Sequence, residues 1–258
     1  GMTRSELFAL MTGGMATIAG GVLAAYVLLL GGTDPAQQAY FAKHLISASI
    51  MAAPAALVVA KIILPEREPS ETMGLVKTTV QREHTNLIEA AAGGASEGLK
   101  LALNVGAMLL AFLALIALIN GPLGWLGEVT GLQALVGQPI DLALILGWIC
   151  APLALIVGVP PDEAITVGGL IGQKIVANEF VAYVALTDIQ ADLSDRSVLI
   201  ATYALCGFAN FSSIAIQLGG IGGLAPSRRS ELAQLGLRAI LGGTLVSLMN
   251  AAWAGILT

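Results

Sequence analysis

The chain has 258 residues, of which 56% are hydrophobic and only 11% charged, against a charged share of roughly a quarter in soluble domains. With a mean hydropathy of +0.84, it carries too little charge to solvate its apolar surface; it belongs in a bilayer, and intrinsic disorder is excluded. A net charge of -5 excludes a nucleic-acid binder, which needs a basic face.

A spanning helix takes about 20 apolar residues. Leu7 to Thr33 carries no charge, and Met11–Leu30 within it is long enough to cross. Leu45 to Ala60 extends past Lys61 to Leu64, because the lysine stem can lie along lipid while its ammonium snorkels. The polar stretch Pro65 to Lys100 follows, with small residues at Ala90–Ala95, and is expected to be interfacial helix. Leu101 to Gly127 is uncharged and gives the plainest span. Leu142 to Pro161 is also uncharged and precedes a Pro160-Pro161-Asp162-Glu163 turn whose acids suit a helix start. Ala164 to Leu186 is apolar but interrupted by Gln173, Lys174, Asn178 and Glu179. Ser197 to Ser227 is uncharged and glycine-rich, and after Arg228, Arg229 and Glu231 the last span runs from Ala239 to Thr258.

Cytoplasmic loops collect Lys and Arg. Lys61, Arg67, Lys77, Arg82 and Lys100 therefore place residues 61–100 inside, and Arg228, Arg229 and Arg238 do the same for the last tight loop. Asp188, Asp192 and Asp195, with Arg196 alone beside them, lie outside. The chain must then cross an even number of times between Asn120 and Asp188. Two full spans satisfy this, and so does an interfacial helix followed by a hairpin that enters and returns on one side. A straight span over Ala164–Leu186 would cost about 2.5–3.5 kcal/mol per buried charge. The hairpin, with its polar tip lining a cavity, is preferred.

Three polar or glycine-rich insertions need a reason. Asn178-Glu179 is a candidate functional pair by depth alone, although Glu179 could instead pair with Lys174 as a structural ion pair. Gly207-Phe208-Ala209-Asn210-Phe211-Ser212-Ser213 can unwind a helix and expose half-helix termini to a solute. Equally, its serines can bond back to their own helix and Asn210 across to a neighbour. Gly13-Gly14 and Gly20-Gly21 allow either close helix packing or a second broken helix. Cys150 and Cys206 read as small core residues rather than a disulfide or metal pair. His44 and His84, with no HExxH, offer little for zinc or triad chemistry. Gly1 reads as a cloning remnant, and no cleavable signal peptide is visible.

Together these elements form two related units. Hairpin 164–186, interrupted span 197–219 and plain span 231–257 make one, and interrupted span 8–30 with plain span 45–64 repeats its last two members in the opposite sense. Inverted repeats of this kind build secondary transporters with a site between the repeats. The first unit's own hairpin would precede Thr3. The fold class expected is all-α: a polytopic membrane protein of about five spanning helices, one re-entrant hairpin, interfacial helices and broken spans. Its parts are residues 3–64, 65–160 and 161–258.

The strings GQKIVANEFVAY (172–183), GFANFSSIAIQLGGIGGLAPSRRSEL (207–232) and NLIEAAAGGASEGLKLALNVGAMLLAFLALIALIN (86–120) resemble the carboxy-terminal region of concentrative nucleoside transporters. The first span resembles that family's segment after its first hairpin, so the likeness covers essentially the whole chain. The resemblance implies a nucleoside site in which Glu179 binds the ribose hydroxyls with Asn178 beside it at the hairpin tip. Phe208 would pack on base or sugar, and Asn210 and Ser213 would hydrogen-bond the ribose. It further implies uptake coupled to sodium or protons, no enzyme cofactor, and a homotrimer in the cell (inner or plasma) membrane, with the carboxy-terminus outside by the charge count.

Two departures qualify it. A Gln-Thr-Glu hairpin that contacts the base in the family has no counterpart here, and Gly21 stands where relatives often carry a hydroxyl. Sodium coordination in the family uses both places, so no metal ligand is named. The alternative is a structural membrane subunit or fragment without independent transport. An intramembrane enzyme is disfavoured, since no Ser/His or Asp/Asp pair falls at facing depths and Glu179 has no evident base or metal partner.

Overall fold

The computed structural model describes residues 2–71 and 85–258, and among them only helices occur, with no strand. They fall into two compact units, one of residues 70–140 and one of residues 2–69 with 141–258. Lys77, Arg82, Glu83 and His84 lie outside the described residues.

The smaller unit is dominated by α4 (Leu87–Val129), a single 43-residue helix capped by Asn86, whose Oδ1 accepts from Glu89 N at 2.8 Å. No boundary separates the polar stretch before Leu101 from the apolar span after it. Residues 87–100 are continuous with the apolar span, so the polar stretch is the leading part of one long helix and not a helix by itself. At 1.5 Å per residue α4 is roughly 65 Å long, about twice a hydrocarbon core, so its polar half has room to project beyond the slab. Gly131 and Gly137, at φ 71° and 79°, flank the short α5 (Leu132–Val136).

In the larger unit the first apolar run is broken. Helix α1 (Arg4–Ala16) ends at Thr17, and α2 (Gly20–Gly31) starts at the Gly20-Gly21 pair. The helix breaks at residues 17–19, just before Gly20-Gly21, whereas Gly13-Gly14 lie inside α1, where a Cβ on Gly14 would come within 2.9 Å of Gln217 Nε2; the first pair fits close packing and the second the broken helix. Helix α3 (Pro35–Ile63), capped by Asp34, opens ten residues before the expected Leu45 and runs unbroken through Pro54. Helix α6 (Leu142–Ile156), at 15 residues, is shorter than the roughly 20 needed to cross a hydrocarbon core. It packs on α7 (Ala164–Val176) with backbones nearly touching. A Cβ added at Gly168 would lie 2.7 Å from Ala151 N, and one at Gly147 2.5 Å from Ile165 O. Helix α8 (Glu179–Ile189) returns from α7 to form the expected hairpin. The second interrupted run is α9 (Asp195–Leu205) and α10 (Phe211–Leu224), and α11 (Arg229–Leu257) closes the chain. Among the described residues three stretches are long and apolar enough to cross a membrane, α1–α2, α3 and α11, and shorter apolar helices lie in α4, α6, α7 and α10. Cys150 and Cys206 are both free and buried in the packed interior.

Side-chain contacts fix the direction of each element in the larger unit. At one end Thr3 Oγ1 donates to Glu66 Oε2 at 2.8 Å, Ser5 Oγ to Leu64 O at 2.6 Å, and Arg228 Nη1 to Met2 O at 2.6 Å. The starts of α1 and α11 therefore meet the end of α3. At the other end Glu163 accepts from Ser194 N (2.8 Å) and Ser194 Oγ (2.7 Å), and Arg196 Nε donates to Gly158 O (3.0 Å). A Cβ on Gly255 there would meet Val157 O, placing the end of α11 at the same level. An open groove lined by Gly31, Tyr40, Thr187, Gln190 and Asp195 gathers the end of α2 and the starts of α3 and α9 there too. Thus α1–α2–α3 and α9–α10–α11 run in opposite senses, while the hairpin enters and leaves at one end, clasped at its base by Glu163.

Candidate functional site

Five helix ends converge halfway between those two ends. Half-helices α1, α7 and α9 stop there, and α8 and α10 begin there. Stopping a helix strands its last carbonyls and starting one strands its first N–H groups, so each end needs a partner. Asn178 caps α8, its Oδ1 accepting from Val181 N at 2.9 Å, and Asn210 caps α10, its Oδ1 accepting from Ser213 N at 3.0 Å. The two asparagines of NEF and ANF, candidate site residues, are the N-caps of their helices.

Glu179, the first residue of α8, is 2% exposed. Its Oε1 accepts from the Tyr26 hydroxyl and its Oε2 from Asn210 Nδ2, each at 3.1 Å. A carboxylate there faces the positive ends of two half-helices, which favours its charge. The capping bond fixes the Asn210 amide with oxygen toward its own helix and nitrogen toward Glu179. Ser212 Oγ donates to the same Asn210 Oδ1 at 2.6 Å, and the one Ser213 hydroxyl proton lies between Asn210 Oδ1, at 2.9 Å, and Phe208 O. Glu179, Phe208, Asn210 and Ser213 are thereby one connected cluster, with Asn178 adjoining it through the chain. Asn178, Asn210 and Ser213 are buried and Phe208 is half-buried. The serines do bond back within their own turn and Asn210 does bond across, as the plainer reading of that stretch held, but around a genuine break in the helix.

The ion pair weighed for Glu179 is not found. Among the described residues no salt bridge joins it to Lys174. Lys174 Nζ turns instead to Ala204 O and Ser247 Oγ, both at 2.9 Å. Tyr26 belongs to the cluster through its bond to Glu179, and the sequence did not single it out. Its ring packs on Tyr183 at 4.3 Å between centroids, and Tyr183 in turn donates to Thr202 O at 2.8 Å. The available signal was a lone aromatic with a polar tip inside the apolar run AAYVLLL. Gly21 lies exposed at the start of α2, with nothing within 4 Å of an added Cβ. His44 Nδ1 is 3.1 Å from the Tyr203 hydroxyl. Among the described residues no group of three His, Cys, Asp or Glu side chains is placed to hold a metal.

Two oppositely directed broken spans, a re-entrant hairpin and a polar cluster where they cross define a polytopic membrane protein of the inverted-repeat transporter class. Residues 44–255 match the family model described as Na+ dependent nucleoside transporter C-terminus, and the chain belongs to that family. It is 49% identical to the uncharacterized transporter YutK of Bacillus subtilis and 45% identical to the nucleoside permease NupC of Helicobacter pylori. With the mouse sodium/nucleoside cotransporter 1 the identity is 43%. Each match takes in 99% of this chain but only 60%, 58% and 40% of the relative, so the chain spans little more than half of its bacterial relatives. A solved structure of CNTnw in an inward-facing substrate-bound state superposes with a TM-score of 0.82 at 45% identity, over 99% of this chain and 57% of that one. A CNTnw variant in an intermediate state gives a TM-score of 0.87 at 46% identity, over 100% and 60%.

Proposed function

We propose that the complete protein is a secondary active nucleoside transporter, and that the cluster at the crossing of the broken spans is the ribose-facing part of its site. The observation that carries this reading is the Glu179 carboxylate, buried at the hairpin tip with two neutral donors and no ion-pair partner among the described residues. A carboxylate presented in this way has acceptor capacity left for the vicinal hydroxyls of a ribose. Asn178 and Asn210 hold the tip and its facing helix start, Phe208 packs on the base or sugar, and Ser213 and Asn210 hydrogen-bond the ribose. Sodium is the coupling ion, a reading supported by the family description and the named cotransporters. The protein acts in the cell membrane as a homotrimer, and its carboxy-terminus lies outside. Support for that orientation comes from charge. Arg4, Lys61, Arg67, Arg228 and Arg229 gather where α1 and α11 start, against Arg196 and, further along α3, Lys43 on the side of the opposite end.

The test is uridine uptake by the full-length protein in proteoliposomes, driven in parallel by sodium and by proton gradients. Wild type is expected to concentrate uridine with sodium, and Glu179→Gln to lose uptake while inserting normally. Near-normal uptake by the variant overturns the site, and uptake driven by protons alone overturns the coupling ion.

A further inference from the structure

Lys174 has no part in the site described above, yet its side chain is 1% exposed in a chain with so few charges. It projects from the last turn of α7 across to the broken span, where its ammonium binds Ala204 O and Ser247 Oγ. Ser247, on α11, in turn lies within hydrogen-bonding distance of Cys206 O at 3.3 Å and Gly243 O at 3.1 Å. Ala204 and Cys206 bracket the end of α9, where the helix stops and its last carbonyls lose their ladder partners. Such carbonyls carry the negative end of a half-helix, and unwound carbonyls of this kind coordinate cations in transporters of this build. At this break the cation is part of the protein.

We propose that Lys174 is a positioning residue for transport, a tethered cation that fills the cation site opened by the break between α9 and α10. From there it ties the hairpin, the broken span and α11 together behind Glu179. Three elements meet at one ammonium: α7 supplies it, α9 the carbonyl and α11 the hydroxyl. Tight packing around the acceptor supports this, since a Cβ on Gly207 would come within 2.6 Å of Ser247 Oγ. The inference rests on the transport reading but concerns how Glu179 is held, not what it binds.

The test uses full-length protein in proteoliposomes, with Lys174→Ala, Lys174→Met and Ser247→Ala beside wild type. Removing the ammonium strands buried acceptors, and the expected result for Lys174→Ala is a rise in uridine KM of about tenfold or more. Millimolar methylammonium is expected to restore uptake by Lys174→Ala, where it can occupy the vacated space. No restoration is expected for Lys174→Met, whose side chain fills that space and which stays impaired. Wild-type-like uptake by Lys174→Met shows that only packing matters and overturns the proposal, as does a monodisperse Lys174→Ala that amines fail to rescue. Should Lys174→Ala not reconstitute, Ser247→Ala decides: a KM raised about threefold or more supports the tether, and an unchanged KM overturns it. Wild type failing to transport would instead defeat the transport reading itself.

Discussion

The hydroxyl of Tyr26 and the carboxylate of Glu179 stand 3.1 Å apart, although 153 positions separate them in the chain. This bond joins the second half of one broken span to the hairpin of the opposite repeat, and it lies in the packed interior. Tyr26→Phe keeps the ring on Tyr183 and deletes only the donor. Loss of a hydrogen bond to a buried charged group is expected to cost about 1–3 kcal/mol. Thermal unfolding in detergent should fall accordingly, and uridine KM in the complete protein should rise.

Asn210 serves two partners at once, so its substitutions should separate them. Asn210→Ala removes the cap of α10 and the donor to Glu179, and the cap alone is expected to cost about 0.5–2 kcal/mol. Asn210→Asp keeps an acceptor for Ser213 N but sets a second carboxylate against Glu179. Uridine uptake should be lost in both, while melting curves at neutral pH should show a cap retained only in the aspartate variant.

Gly207 sits where the two broken spans pass each other. An added Cβ would lie 2.6 Å from Ser247 Oγ and 3.1 Å from Ala16 O. Ala16 O is backbone and cannot step aside, so Gly207→Ala is expected to destabilise by about 1–3 kcal/mol through overpacking. Reduced monodispersity and a lower melting temperature in size-exclusion and thermal assays would register it. An Ala at Gly20, where nothing lies within 4 Å, is the control and should leave both unchanged.

Glu163 clasps the base of the hairpin. The Ser197 hydroxyl beside it, with the Ser194 hydroxyl and N–H that bond to it, holds its carboxyl below the ordinary value of 4.5. A carboxyl depressed by folding stabilises the folded state above its unfolded value, and that contribution fades as pH falls through the lower folded one. Wild type should therefore lose thermal stability below about pH 4.5 more steeply than Glu163→Gln. Parallel slopes for the two proteins would remove Glu163 from the account.

The sequence showed where apolar runs were interrupted, and the structure breaks its helices at or beside most of those places: just before Gly20-Gly21, at Asn178, and in the stretch from Gly207 to Asn210, while Gly13-Gly14 stay inside α1. Glycine, asparagine and serine release the backbone ladder locally, so they leave a local trace. Partners leave none. Lys174 lies close to Glu179 in sequence, which made an ion pair the natural reading, yet its stem points across to α9. Tyr26 carries no polar neighbours, so nothing near it marks it as a donor to a residue in another repeat. The unbroken α4 was obscured for a different reason. Charge density falls sharply near Leu101, but a change of solvent along a helix is no reason for the helix to stop.

The glycine contacts between α6 and α7 bring two backbones so close that no sliding surface remains between them. If the hairpin tilts during a transport cycle, α6 must tilt with it as one plank. The plane of shear then falls on the outer face of α6, where Trp148, Ile149, Leu155 and Ile156 are exposed. Whatever greases that motion, lipid or neighbouring protein, acts on those four side chains, and bulk added at Gly168 would jam the plank long before it reached the carboxylate.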